Sequence, residues 1–200
     1  MATGPALDAP ILEAIVLAAG SGSRFGGGKL LAPYAGRPLL HGALAAAFAA
    51  PVRQVTVVTG ADAEGVAAAA RAFDPRVKVV HASDHLEGMG ASLRAGVSSL
   101  PSDTAGVYVF LGDMPRIPAS ATAEMARALE EGFAAAAPTF DGQRGHPVLF
   151  SAALFADLLQ SRGDAGAREV LKGLGVKLAL IAADDDGVLF DIDLPSDLGR

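Results

Sequence analysis

Two hundred residues suffice for one compact α/β domain with a sizeable core. With 16 Lys and Arg against 22 Asp and Glu, the formal charge of −6 excludes a broad nucleic-acid-binding face, though not a local positive pocket for a small anion. Cysteine is absent, which excludes disulfides and thiolate metal sites. No apolar run reaches the ~18 residues of a membrane span, and the first residues lack the basic start of a secretory signal, so the expectation is a cytoplasmic protein that partners neither membrane nor nucleic acid.

In chain order, residues 1–10, with Gly4, Pro5 and Pro10, read as a loose tail, followed by a single domain over 11–200. Residues 12–18 form a buried strand that runs into the glycine-rich stretch Gly20 to Lys29. Pro38 is placed to start a helix over Leu39–Ala50, which Pro51 ends. The β-branched run Val55–Val58 is a second strand; a helix follows from Asp62, its N-cap, to Phe73, and Val77–His81 is a third strand. A loop around Gly88 feeds a helix in which Leu93, Val97 and Leu100 share an inner face.

Gly106–Gly112 is a fourth strand, ending at Asp113-Met114-Pro115. A helix over Ala119–Glu131 and a small-residue strand over Phe133–Pro138 come next. Asp141–Val148 is a polar insertion ending in an extended segment. Residues 152–160 and 166–173 read as short helices, Lys177–Ala182 as a strand, Asp184–Gly187 as a turn and Val188–Asp193 as a final strand. Strands alternating with helices predict one Rossmann-like, three-layer α/β/α domain with a mostly parallel sheet.

The stretch Leu17-Ala18-Ala19-Gly20-Ser21-Gly22-Ser23-Arg24, continued to Lys29, carries the chemistry. Glycines allow close approach of backbone to a ligand, and successive free N–H groups form a concave anion site. The dinucleotide fingerprint fails because its third glycine position is Phe25, and the Walker loop fails because Ser23 stands where its first glycine belongs and Leu30 follows Lys29. What remains is a nucleoside triphosphate cradle in which Arg24 and Lys29 neutralise phosphate oxygens.

In open α/β sheets ligands bind at the carboxyl ends of strands. That places Thr59 and Gly60 with the nucleotide, Gly88 and Ser92 at the nucleoside end, and Asp113 beside the phosphates. Mg²⁺ takes one or two carboxylates, the rest of its shell being phosphate and water. Asp113 and Asp193 are the expected pair, with Asp191 a competitor because alternation puts it on the same face as Asp193. No nucleophilic serine elbow is present, which fits direct in-line transfer.

Taken together, the motifs resemble those of the molybdenum cofactor cytidylyltransferases, within the group of nucleotidyltransferases of nucleotide-diphospho-sugar transferase-like fold. The resemblance rests on Leu17–Arg24, Lys29-Leu30-Leu31, Gly88–Leu93, Leu111–Pro115, Gly142–Val148, Gly163–Arg168 and Asp191–Asp193. It implies transfer of CMP from CTP to the terminal phosphate of molybdopterin carrying molybdenum, with Mg²⁺ and release of pyrophosphate. A molybdenum hydroxylase, or its maturation factor, would then be the downstream partner.

The resemblance also puts Arg144 and His146 on the acceptor side. It makes residues 11–115 mainly nucleotide-binding and 116–200 mainly acceptor-binding. Ala19 would mark CTP where the guanylyltransferases have glycine. Phe25 replaces a common methionine, and the last helix, after Asp193, is expected to be short. The rivals are a GTP-using guanylyltransferase, a sugar- or alcohol-phosphate nucleotidyltransferase of the same fold, and a non-catalytic nucleotide or cofactor carrier.

Overall fold

A computed structural model describes residues 10–199, so the expected tail lies, apart from Pro10, outside the described residues. The first strand, β1 (Leu12–Ala18), is buried along its whole length and centres the sheet. Apart from Glu13, which pairs with Arg53, both its faces are apolar, the pattern of a strand covered on two sides. A two-residue hairpin, β2 (Pro33–Tyr34) and β3 (Arg37–Pro38), precedes α1 (Leu40–Ala49). Pro38 therefore pairs with Pro33 and does not open the helix.

Next come β4 (Val55–Thr59), α2 (Ala63–Phe73), β5 (Lys78–His81), α3 (Met89–Ser98), β6 (Gly106–Leu111) and α4 (Ser120–Glu130). Asp62 caps α2 as its residue type predicts, its carboxylate accepting from the Gly65 N–H. The second half contains β7 (Ala135–Phe140), β8 (Gln143–Arg144), β9 (Val148–Ser151), α5 (Phe155–Leu158), α6 (Arg168–Lys172) and β10 (Leu178–Ala182).

Along the sheet the order is β10-β7-β9-β6-β1-β4-β5, with β8 hydrogen-bonded to β7. All but β8 and β9 run parallel; β9 lies antiparallel between β6 and β7. The extended end of the polar insertion is thus an interior strand. Two expectations give way. The helices expected over 152–160 and 166–173 shrink to α5 and α6 with short 3₁₀ turns before them.

The final strand expected over Val188–Asp193 does not form: Asp186–Val188 is a 3₁₀ turn, and the residues after it join no ladder. Isolated bonds anchor this segment, the His146 N–H to the Val188 carbonyl and the Ile192 N–H to the Asp113 carbonyl. Its apolar residues Val188 and Ile192 are buried by packing across strand ends, a pattern that sequence alone does not separate from a strand.

Alternate residues of β1 feed two cores. Ala14, Val16 and Ala18 meet Leu44, Val66 and Met125 of α1, α2 and α4; Ile15 and Leu17 meet Leu93, Val97, Leu158 and Leu171 of α3, α5 and α6. Alanines 43, 46 and 47 of α1 are buried and let that helix lie close on the sheet. The chain leaves β1 for β4 on one side and later returns to β6 on the other. A crevice opens beyond the carboxyl ends of β1 and β6 at this reversal, where ligands of open α/β sheets bind.

Tyr108 of β6 is wholly buried and donates its hydroxyl to the Thr122 carbonyl at 2.6 Å. Tyr108→Phe removes that bond without changing shape and should lower stability by about 1 kcal/mol. The check is the urea midpoint, with an unchanged m-value.

Candidate active site

The loop after β1 owes its course to glycine. Gly22, Gly26, Gly27 and Gly28 all have positive φ, a region that side chains disfavour. Two 3₁₀ turns, Ser23–Phe25 and Lys29–Leu31, follow from it and set the two cations on different levels. Arg24 stays largely exposed, whereas the Lys29 side chain is only 14% exposed.

Lys29 ends between two carboxylates. Its Nζ lies 2.6 Å from Asp113 Oδ2 and 3.5 Å from Asp193 Oδ1, and Arg24 donates to Asp193 Oδ2 at 3.2 Å. Three segments far apart in sequence thus meet at one point. Asp113 arrives from the end of β6. Asp193 arrives on the irregular C-terminal segment, whose turn is secured by Asp197: its Oδ2 accepts from the Asp193 and Leu194 N–H groups. Arg116 steadies the same segment, with its guanidinium 3.9 Å from the Phe190 ring centroid and its Nε donating to the Tyr34 hydroxyl. At Gly145 a side chain would strike the Val188 carbonyl, so this glycine permits the segment's close approach.

Asp193 and Asp191 differ in their contacts. Asp191 makes no pair with Lys29 or Arg24. Burial, followed by the charges of Asp113 and Asp193, raises its carboxyl above the ordinary range.

One cavity borders this centre through Asp113, and a second adjoins the first. The larger, about 360 Å³, is lined by Leu17, Ala19, Gly20, Gly88, Ser92 and Asp113, together with Ser21, His85 and Asp164. Five of the expected nucleotide residues, Leu17, Ala19, Gly20, Gly88 and Ser92, are therefore assembled around one space, whereas Gly22, Arg24 and Lys29 are not among its lining. Ser92 is buried on α3. Thr59 and Gly60 line neither cavity. Thr59 is buried with its hydroxyl directed at the Val80 carbonyl, and a Cβ at Gly60 would come within 2.5 Å of the Ala19 carbonyl oxygen, so the pair backs the loop from behind. Ala18 is buried under the loop.

The second cavity, about 170 Å³, contains Arg144 and His146 and also Arg168; Leu17, Met89, Leu111 and Asp164 are common to both cavities. His146 is half-buried, and its Nδ1 is buried without a partner. Burial pushes the imidazole down to about 4, against the opposing pull of Asp113 and the Val109 carbonyl and with help from Arg144 and Arg168. It is a neutral ring near pH 7.

Sequence reasoning had given His85 no role, yet it stands in the wall of the larger cavity, its Nδ1 donating to the Ala82 carbonyl at 3.0 Å. A single histidine in a loop carries no spacing signal; only its place before the Gly88 loop could have pointed to it.

The comparisons with known proteins agree with this geometry. Residues 14–180 match the model of the MobA-like NTP transferase domain. The chain belongs to that family. Among curated relatives, the nicotine blue oxidoreductase of Paenarthrobacter nicotinovorans is 31% identical over 96% of this chain and 97% of its own. The purine catabolism protein PucB of Bacillus subtilis is 32% identical over 94% of each.

Among solved structures, Rv0371c of Mycobacterium tuberculosis superposes with a TM-score of 0.80 at 27% identity, over 95% of this chain and 97% of that one. The same protein is also known as a manganese complex, with a TM-score of 0.76 at 26% identity over the same shares. A nucleotidyl transferase of Methanothermobacter thermautotroptrophicus superposes at 0.78 with 28% identity over 95% of each chain. The single α/β domain with a mostly parallel sheet and the nucleotidyltransferase family are thereby shown. No helix among the described residues is long and apolar enough to cross a membrane.

A half-buried neutral histidine makes stability depend on pH in a defined sense. Between about 6.5 and about 4 the unfolded chain binds the proton that the folded protein refuses. Stability is full above that window and falls as pH drops through it. Urea unfolding at pH 7 and pH 5 should show the native protein losing on the order of 1–2 kcal/mol more than His146→Asn does.

Proposed function

We propose that this protein transfers CMP from CTP to the terminal phosphate of molybdopterin or the molybdenum cofactor, releasing pyrophosphate with Mg²⁺ as cofactor. The observation that carries the reading is Lys29 held between Asp113 and Asp193 at the edge of a cavity walled by Ala19, Gly20 and Ser92. This is phosphate chemistry beside a nucleoside-sized space. The resemblance of Leu17–Arg24 and Gly142–Val148 to the cytidylyltransferases narrows it to CTP and a pterin phosphate. The broader division follows: residues 11–115 mainly hold the nucleotide, and 116–200 mainly hold the acceptor.

A divalent cation fits the donor set. Asp113 and Asp193 supply the hard carboxylate oxygens that Mg²⁺ takes, and they already converge on one cation, the Lys29 ammonium. No group of three His, Cys, Asp or Glu stands together as a cage among the described residues, which suits a site completed by substrate phosphates and water. When bound, the metal would supply charge neutralisation at the phosphates.

In the reaction, an oxygen of the acceptor phosphate attacks the α-phosphorus and forms a new P–O bond. The bond from that phosphorus to the bridging oxygen breaks, and pyrophosphate leaves with the electron pair. Lys29 and Arg24 meet the charge that grows on the triphosphate, the kind of fixed positive group that counts most in the transition state. Ser92 and the Leu17–Gly22 backbone hold the nucleoside, and Arg144 and His146 hold the acceptor. A molybdenum hydroxylase or its maturation factor receives the product.

The name of the Paenarthrobacter relative, nicotine blue oxidoreductase, favours a second reading, an oxidoreductase. The two readings separate in one assay. Pyrophosphate release is measured with each of the four NTPs, with and without molybdopterin, beside NADH and NADPH oxidation with nicotine blue. Release with CTP that requires molybdopterin is expected; GTP preference, UTP turnover with a sugar phosphate, or nicotinamide oxidation alone would each overturn the reading. Asp113→Ala should cut release by roughly 10²–10³-fold while CTP binding falls far less.

Lys29 gives a separate test. Its ammonium occupies the place between the carboxylates. Lys29→Met should therefore bind Mn²⁺ without nucleotide more tightly than the native protein does, as followed by the free Mn²⁺ signal in electron paramagnetic resonance. Equal Mn²⁺ binding in the two proteins would contradict this competition.

A further inference from the structure

The segment Gly163-Asp164-Ala165-Gly166-Ala167-Arg168 has no part in the chemistry derived so far, yet it is pressed tightly onto the start of α3. A side chain at Gly88 would come within 2.5 Å of Asp164 Oδ1 and 2.7 Å of the Gly163 carbonyl carbon, and one at Gly90 within 2.8 Å of the Arg162 nitrogen. Gly166, at φ +52°, sits with its Cβ position 3.0 Å from Met89 Sδ. The Gly88-Met89-Gly90 stretch and the Gly163–Arg168 stretch are therefore two halves of one contact. The contact sets the 163–167 loop firmly and delivers Arg168, the first residue of α6, to the second cavity.

In that cavity Arg168 meets Arg144 from β8, and the charges of both arginines reach His146. No carboxylate pairs with either guanidinium among the described residues. The walls between are apolar: Leu93, Val109, Phe150 and Leu171. His146 also lines this cavity, and its Nδ1 is buried without a partner, a cost that native structures seldom leave unmet. The arrangement is a dibasic rim over an apolar slot with one unsatisfied polar atom inside. Such a slot fits a ligand with an anionic end and a flat body carrying a hydrogen-bonding atom.

We propose that Arg168 is a phosphate ligand of the acceptor substrate, clamping it with Arg144 while His146 Nδ1 takes a polar atom of the acceptor's body. The proposal rests on the transfer reading for the identity of the acceptor, but not for the existence of the clamp. Guanidinium suits the task because it binds phosphate oxygens in pairs, which lysine does not. The Gly163–Arg168 segment thereby belongs to acceptor binding, whereas the Gly88 stretch it packs against serves the nucleotide. The same contact ties the two subsites together.

The test uses Arg168→Ala and Arg168→Lys in the full chain. Steady-state pyrophosphate release should show the KM for the acceptor raised about tenfold or more in both variants, with the KM for the nucleotide unchanged. An unchanged acceptor KM, or a rise in the nucleotide KM instead, would overturn the assignment.

A second measurement is independent of the acceptor's identity. Inorganic phosphate is titrated calorimetrically into protein saturated with a non-hydrolysable analogue of whichever NTP binds. Weaker phosphate binding in Arg168→Ala supports the clamp even if molybdopterin proves not to be the acceptor. Equal binding in native protein and variant refutes it even if molybdopterin is turned over.

Discussion

The structure depends on one electrostatic constraint: the Asp113 and Asp193 carboxylates are brought to a common point, and only a cation makes that stable. The cation is the Lys29 ammonium. Partly removed from water, such a pair gives up hydration for its attraction, and losing one partner leaves a charge uncompensated. Much of the surrounding architecture serves to deliver these three side chains. The parallel pairing of β1 with β6, in register from Leu12 with Gly106 to Leu17 with Leu111, fixes the glycine loop beside Asp113. The Ile192 N–H to Asp113 carbonyl bond and the Asp197 cap fix Asp193 against them.

The same constraint explains what the sequence revealed and what it hid. The loop, Asp113 and Ser92 were legible because each sits where a strand ends or a helix begins, and such places are marked by apolar runs meeting small residues. The strand order was legible only as a class. That β9 would enter antiparallel between β6 and β7 depends on which distant strand offers a free edge, and nothing within Val148–Ser151 states it. The segment Val188–Asp193 has the alternating look of a strand. Yet its backbone bonds go singly to Asp113 and His146, so no ladder forms, and the orientation of Asp191 cannot be read from strand alternation.

Other residues were hidden for a different reason. Thr59 and Gly60 end a strand as Asp113 does, but they back the loop and do not face the cavity, because Gly60 is packed against Ala19 and His85. Their neighbour His85 is placed by Ala82 and by the packing of Gly60, whereas Asp164 and Arg168 owe their positions to contacts between segments about 75 residues apart in the chain, such as Gly88 with Asp164. Spacing rules describe one element at a time and carry no information on such contacts.

A relative named as an oxidoreductase shares this scaffold over nearly its whole length, which shows why the fold by itself does not assign chemistry. The sheet provides only a crevice at the reversal of strand order. What that crevice does depends on the side chains at its edge. An ammonium held by two carboxylates, with a guanidinium beside it, is suited to multiply charged phosphates: the cations neutralise oxygens, and the carboxylates hold a metal that neutralises more. A site for hydride transfer needs no such balance of opposite charges, since it must above all place two flat rings together. The Lys29, Asp113 and Asp193 cluster is therefore the feature on which the transferase reading stands, and the apolar slot next to it, with Arg144 and Arg168 at its rim, is where the proposed acceptor phosphate would bind.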